Sequence, residues 1–143
     1  MIKLKKKLLI FDLDGVLIDS RENMRLSWLS VQKKHILNHI KFENYFKQIG
    51  RPFFDILKNI GVKKNFKKIN HTYKKASIAN IDKIKYFKNV IKTLKYFKSK
   101  KFTLCIVTSK DLIRTKKILN KNIKLFTFIE CNNNNLKGKP HPQ

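Results

Sequence analysis

The sequence predicts an α/β protein: a parallel sheet interrupted by a long helical insertion. Three observations lead there. Leu8 to Phe11 is a short, continuous apolar run that passes into Asp12-Leu-Asp-Gly15, as a buried strand entering a tight loop does. Residues 20–82 carry helical patterns and no convincing strand. Beyond them an amphipathic helix and a second apolar run restore the strand, helix, strand order of a parallel sheet.

The elements follow in order. After the first strand, Asp19 and Glu22 have capping-box spacing, and Met24, Trp28 and Val31 recur on one face of the helix they open. Gly50-Arg51-Pro52 and Gly61-Val62 bracket a short helix over Phe53 to Ile60, and a lysine-rich helix reaches about Asn80. Val90, Ile91, Leu94 and Phe97 mark an amphipathic helix. Phe102 to Val107 reads as the second strand, a helix opens near Ser109, and Leu125 to Ile129 reads as a third strand. From Cys131 through the run Asn132 to Asn135 to Gln143 the pattern is loop.

Composition bounds the function. A chain of 143 residues with 42% hydrophobic and 11% aromatic residues has the length of one domain and material for a core, which excludes disorder. The formal charge of +25 suggests a nucleic-acid or membrane-surface binder. However, only Arg21, Arg25, Arg51 and Arg114 are arginines, and the 30 lysines are spread along the whole chain. Bidentate recognition of bases and phosphates favours arginine, so no specific nucleic-acid partner is expected. The excess of Lys, Ile, Asn and Phe has the look of an AT-rich genome. Cys105 and Cys131 are too few for a disulfide framework, which fits a cytoplasmic protein. The N-terminal lysines and Leu8 to Phe11 imitate a signal peptide, but Asp12 and Asp14 break the run, and no stretch has the length of a membrane span.

Acids are scarce, nine in all, yet Asp12, Asp14 and Asp19 fall within one short segment. Alternate residues of an extended chain face the same side, so Asp12 and Asp14 can project together from the C-terminal end of the first strand. Open parallel sheets bind ligands at that end. Two neighbouring carboxylates repel unless a cation neutralises them, and a hard divalent ion, most simply Mg²⁺, suits two oxygen donors. His35 and His39 are four apart on a predicted helix but lack a third ligand, and a solvated helix face is the simpler reading.

Phe11-Asp-Leu-Asp-Gly-Val-Leu-Ile-Asp-Ser20 resembles the first motif of the haloacid dehalogenase superfamily of phosphotransferases. Leu104-Cys-Ile-Val-Thr108-Ser109-Lys110 is similar to the second, an apolar strand ending in Thr or Ser. Gly138-Lys139-Pro140-His141-Pro142 is similar to the third, a lysine beside a proline. The resemblance is closest to the phosphoglycolate-phosphatase-like branch. It implies a Rossmann-like three-layer parallel sheet formed by residues 1–19 and 83–143, incomplete here, with residues 20–82 as an inserted helical cap.

The resemblance also implies roles. Asp12 is the expected nucleophile, forming an aspartyl-phosphate, and Asp14 the general acid and base. Thr108 and Ser109 are expected to bind phosphate, with backbone N–H groups around Leu13 and Ser109 as fixed donors, and Lys139 to add positive charge. Mg²⁺ is the expected cofactor, held by Asp12 and Asp14. Arg51, between Gly50 and Pro52, is a candidate to clamp a second anionic group of a small phosphorylated substrate. Dehalogenase members of the family do not keep the second Asp, so that chemistry is disfavoured.

The family's fourth motif, a Gly-Asp followed by a further acid, finds no match after Lys139. Glu130, at the end of the third predicted strand, does not replace it. The expectation is therefore an N-terminal portion of a longer phosphatase, inactive alone, whose first strand has an unpaired edge. The oligomeric state and the substrate stay open. So do three alternatives: a sugar phosphomutase of the same family, an inactive remnant or binding module, and a basic nucleic-acid binder whose affinity survives Asp12→Asn.

Overall fold

The computed structural model describes residues 7–131. Strand β1 (Leu8–Phe11) pairs in parallel with β4 (Thr103–Thr108), and β4 in parallel with β5 (Phe128–Cys131), giving the order β1-β4-β5. Two short strands, β2 (Ile18–Asp19) and β3 (Lys85–Tyr86), form a separate antiparallel pair. Among the described residues there are six α-helices: α1 (Arg21–His35), α2 (Phe42–Phe46), α3 (Phe53–Asn59), α4 (Phe66–Ala79), α5 (Val90–Ser99) and α6 (Leu112–Leu119). The chain divides into two compact units, one running to Asp19 and resuming at Lys85, the other containing Ser20–Ile84.

The first unit is a parallel sheet with flanking helices, the Rossmann-like arrangement. Its middle strand is apolar on both faces: Leu104, Cys105 and Ile106 are consecutive and all buried, as a covered parallel strand requires. β1 is equally apolar but lies at the edge of the described sheet, and Leu8 and Ile10 stay 55% and 60% exposed. The register sets Phe11 against Ile106 and Thr108 against Cys131, so all three strands run out toward the same end.

The second unit is helical among its described residues. Met24, Trp28 and Val31, the stripe read from the sequence, are buried with Ile40, Tyr45, Leu57, Ile69 and Tyr73. Trp28 stacks on Tyr45 at 4.7 Å between ring centroids, and its indole N–H donates to the Ile40 carbonyl at 3.0 Å. Asn23, fully buried, ties α1 to the end of α4. Its amide donates to the carbonyls of Ser77 and Asn80, both at 2.8 Å, and its oxygen accepts from the Ser77 hydroxyl at 2.9 Å.

Local details depart from the sequence reading. The capping box does not form: Ser20, not Asp19, precedes α1 without a side-chain cap, and Glu22 is held instead by Arg25 through two bonds of 2.7 and 2.8 Å. The helix after β4 begins at Leu112, capped by Asp111, whose carboxylate accepts from the Arg114 amide at 3.0 Å. Asn120–Leu125 is a 3₁₀ turn, so the third main strand starts at Phe128 and takes in Cys131. α1 stops at His35 because Ile36 turns left-handed and the Leu37 amide closes on the Gln32 carbonyl, leaving His39 beyond the helix. Among the described residues no helix is long and apolar enough to cross a membrane.

Candidate active site

The site is built where β1 and β4 end. Asp12 follows β1 directly, and its Oδ1 accepts from the Leu13 amide at 2.7 Å. Leu13, fully buried, anchors the turn: its carbonyl accepts from the amides of Leu17 at 3.0 Å and Ile18 at 3.2 Å, and Asp14 bridges to Ile18. Gly15 sits at φ +76°, where a side chain would be strained although the space beside it is open. This loop keeps both carboxylates partly buried at the carboxyl end of the sheet.

Thr108 closes β4 and is buried; its Oγ accepts from the Lys110 amide at 3.2 Å. Accepting that bond uses a lone pair and keeps the hydroxyl proton for donation elsewhere. Ser109 follows, half-buried. Lys110 then turns back toward the β1 loop, and its Nζ lies 3.2 Å from Asp14 Oδ1, with 4% of the Lys110 side chain and 15% of the Asp14 side chain exposed. Burial pushes the Lys110 ammonium below its usual pKa; the Asp14 carboxylate opposes this and Arg114 adds to it. Asp111 and Arg114 pair at 2.7 Å on the first turn of α6, fixing the segment that carries Lys110.

Of the sequence-predicted residues, Asp12, Asp14, Thr108 and Ser109 therefore lie at one end of one sheet, and Asp14 is joined to Thr108 through Lys110. The Leu13 amide differs from expectation, since it is bonded to the carboxylate of Asp12. Lys139 lies outside the described residues. Arg51 belongs to the helical unit, exposed between Gly50 and Pro52, with its amide bonded to the Gln48 carbonyl at 3.3 Å.

Sequence reasoning assigned no role to Lys110. The signal available was its place directly after Thr108-Ser109, hidden by the abundance of lysine. His35 takes no part in a metal site with His39. Its Nε2 contacts the Thr72 hydroxyl at 2.9 Å, and because that hydroxyl donates to the Lys68 carbonyl, His35 is the donor. A cleft of about 320 Å³ beside it is lined by Lys34, Lys67, Lys68 and His71, surroundings hostile to a metal cation.

Asp12 and Asp14 offer hard oxygen donors in the number that Mg²⁺ usually takes from protein, the rest of its shell being water and phosphate. The donor set thus fits Mg²⁺ in kind. Among the described residues no group of three or more His, Cys, Asp or Glu gathers that could hold a metal by itself.

Comparison with known proteins agrees with this architecture. The model of the haloacid dehalogenase-like hydrolases matches residues 9–143. Among solved structures, a protein from Bacteroides fragilis described as a haloacid dehalogenase-like hydrolase superposes with a TM-score of 0.86 at 19% identity, covering 96% of this chain and 69% of its own. A predicted phosphoglycolate phosphatase from Haemophilus somnus gives 0.80 at 23% identity, covering 98% and 68%. A Thermotoga maritima protein described as a beta-phosphoglucomutase gives 0.56 at 18% identity, covering 87% and 61%. No curated protein matches the sequence.

Proposed function

Because the chain belongs to the family of haloacid dehalogenase-like hydrolases, we propose that its site serves Mg²⁺-dependent hydrolysis of a phosphomonoester, the substrate being a small phosphorylated acid or sugar. The observation that carries this reading is the meeting of Asp12, Asp14 and Thr108 at the carboxyl end of one parallel sheet, in a chain with only nine acids.

Asp12, oriented by the Leu13 amide, attacks phosphorus with a carboxylate oxygen while the bond to the leaving oxygen breaks. Asp14 gives its proton to that oxygen, so an alcohol departs rather than an alkoxide. Water then attacks the phosphorus of the aspartyl-phosphate, Asp14 takes the water's proton, and inorganic phosphate leaves with the Asp12 carboxylate restored. Thr108 donates its hydroxyl to a phosphoryl oxygen, and Ser109 and Lys139 add contacts to the same group. Mg²⁺, held by Asp12 and Asp14, would supply positive charge against the phosphoryl oxygens.

Asp12→Asn in the full protein tests the reading. It is expected to lower hydrolysis of p-nitrophenyl phosphate by about a thousandfold or more, with the far-UV circular dichroism unchanged. Retained turnover would defeat the role of Asp12. A sugar phosphomutase shares Asp12 and Asp14, and the likeness to the Thermotoga maritima structure keeps it as a second reading. It differs in passing the phosphoryl group to a sugar hydroxyl rather than to water, so release of inorganic phosphate from a sugar phosphate separates the two.

A further inference from the structure

Lys110 is the only charged side chain buried among the described residues, in a chain that carries 30 lysines. Withdrawing an ammonium from water costs several kcal/mol, and a well-packed apolar residue of similar volume is often as stable or more so. Stability alone therefore gives no reason for a lysine here. Its two contacts do: the ammonium meets Asp14 Oδ1 at 3.2 Å, and the amide meets Thr108 Oγ at 3.2 Å. One residue thus touches both the proposed acid and the hydroxyl proposed to bind phosphate, bridging the loop that follows β1 and the end of β4.

We propose that Lys110 is a positioning residue for Asp14, its ammonium fixing the orientation in which the carboxyl group reaches the leaving oxygen. This rests on the phosphomonoesterase reading above. The planar carboxylate rotates about its terminal torsion, which is broad unless a contact fixes it, and a charge-assisted bond between two mostly buried side chains does so. The rigid start of α6, held by Asp111 and Arg114, keeps the ammonium from following a wandering carboxylate.

The test compares two substrates in the full protein with Mg²⁺. p-Nitrophenolate departs readily without a proton, whereas the phenolate of phenyl phosphate depends on the acid. Lys110→Met, which keeps the stem and removes the charge, is expected to lower kcat/KM for phenyl phosphate at least about tenfold more than for p-nitrophenyl phosphate. Equal losses on both substrates, or no loss, would overturn the proposal, because a merely structural lysine has no leaving-group preference. If Lys110→Met does not fold, Lys110→Arg keeps the charge but moves it, and the same bias is expected in smaller measure; its absence would count against the proposal.

The lysine ¹⁵Nζ spectrum supplies a readout independent of turnover. One slowly exchanging ammonium resonance is expected, and it should vanish in Asp14→Asn. A wild-type protein without turnover would refute the phosphomonoesterase reading, and this spectrum would then judge the pairing: a missing resonance, or one indifferent to Asp14→Asn, overturns it.

Discussion

Asn23→Ala tests the account of the helical unit directly. The side chain is fully buried and all its bonds join α1 to the end of α4: two from its amide at 2.8 Å and one to its oxygen at 2.9 Å. A net value of about 1 kcal/mol for each bond, with the carbonyls of Ser77 and Asn80 left short of a donor, gives a loss of about 2–4 kcal/mol. Ser77→Ala removes only the third bond and should cost about 1 kcal/mol. Asn23→Asp keeps the acceptor but turns a carboxylate toward two carbonyl oxygens, so it should cost more than Asn23→Ala. Urea unfolding followed by Trp28 fluorescence reads the series, since Trp28 lies in the same core. The expected order is Ser77→Ala, then Asn23→Ala, then Asn23→Asp, with the m-value unchanged. A loss below about 0.5 kcal/mol for Asn23→Ala would refute the claim that these bonds hold the helices together.

Three further outcomes are expected. Thr108→Val should fold with a loss of about 1–2 kcal/mol from the orphaned Lys110 amide and lower kcat for p-nitrophenyl phosphate by about a hundredfold; an unchanged kcat would remove Thr108 from the site. Burial first, then the charges of Lys34 and Lys68, hold His35 below the ordinary imidazole range, so the unfolded chain binds this proton more readily. The resulting stability is present above about pH 6.5 and lost as pH falls through the folded-state value; urea midpoints of His35→Gln should therefore change less between about pH 7 and 5 than those of the parent chain. Finally, β1 leaves Leu8 and Ile10 more than half exposed at the edge of the described sheet, so the 143-residue chain should self-associate and Ile10→Lys should reduce this in sedimentation velocity; a monodisperse, cooperatively melting parent monomer would count against it.

The elements legible in the sequence are those fixed by local pattern. Leu8–Phe11 is the same span in both readings because a short apolar run ending in Asp-Leu-Asp-Gly has one sensible limit at each side. The stripe of Met24, Trp28 and Val31 buries as its spacing demands. Limits set by partners were not legible. The last strand begins at Phe128 because its pairing with Cys105 starts there, while the equally apolar Leu125 falls in the preceding turn. Glu22 has the spacing of a cap but lies one helical turn from Arg25, and the ion pair takes it.

The same contrast governs the site. Asp12 and Asp14 stood out because acids are rare in this chain, so two of nine in three residues is information. Lys110 is chemically no different from the other lysines, and the sequence marks it only as the last residue of the Thr-Ser-Lys string, with no role of its own. Its distinction is conferred by burial, which the parallel pairing of β1 with β4 creates by bringing the Asp14 loop beside the end of β4. A composition dominated by lysine therefore conceals Lys110, and only the fold distinguishes it from the other lysines among the described residues. The charge of +25 adds a further consequence. With so many cations in solvent contact, phosphate meets a favourable field over much of the chain, so affinity for an anion is a weak reporter of the site. Dependence of cleavage on the leaving group is a strong one, because no surface lysine can supply it.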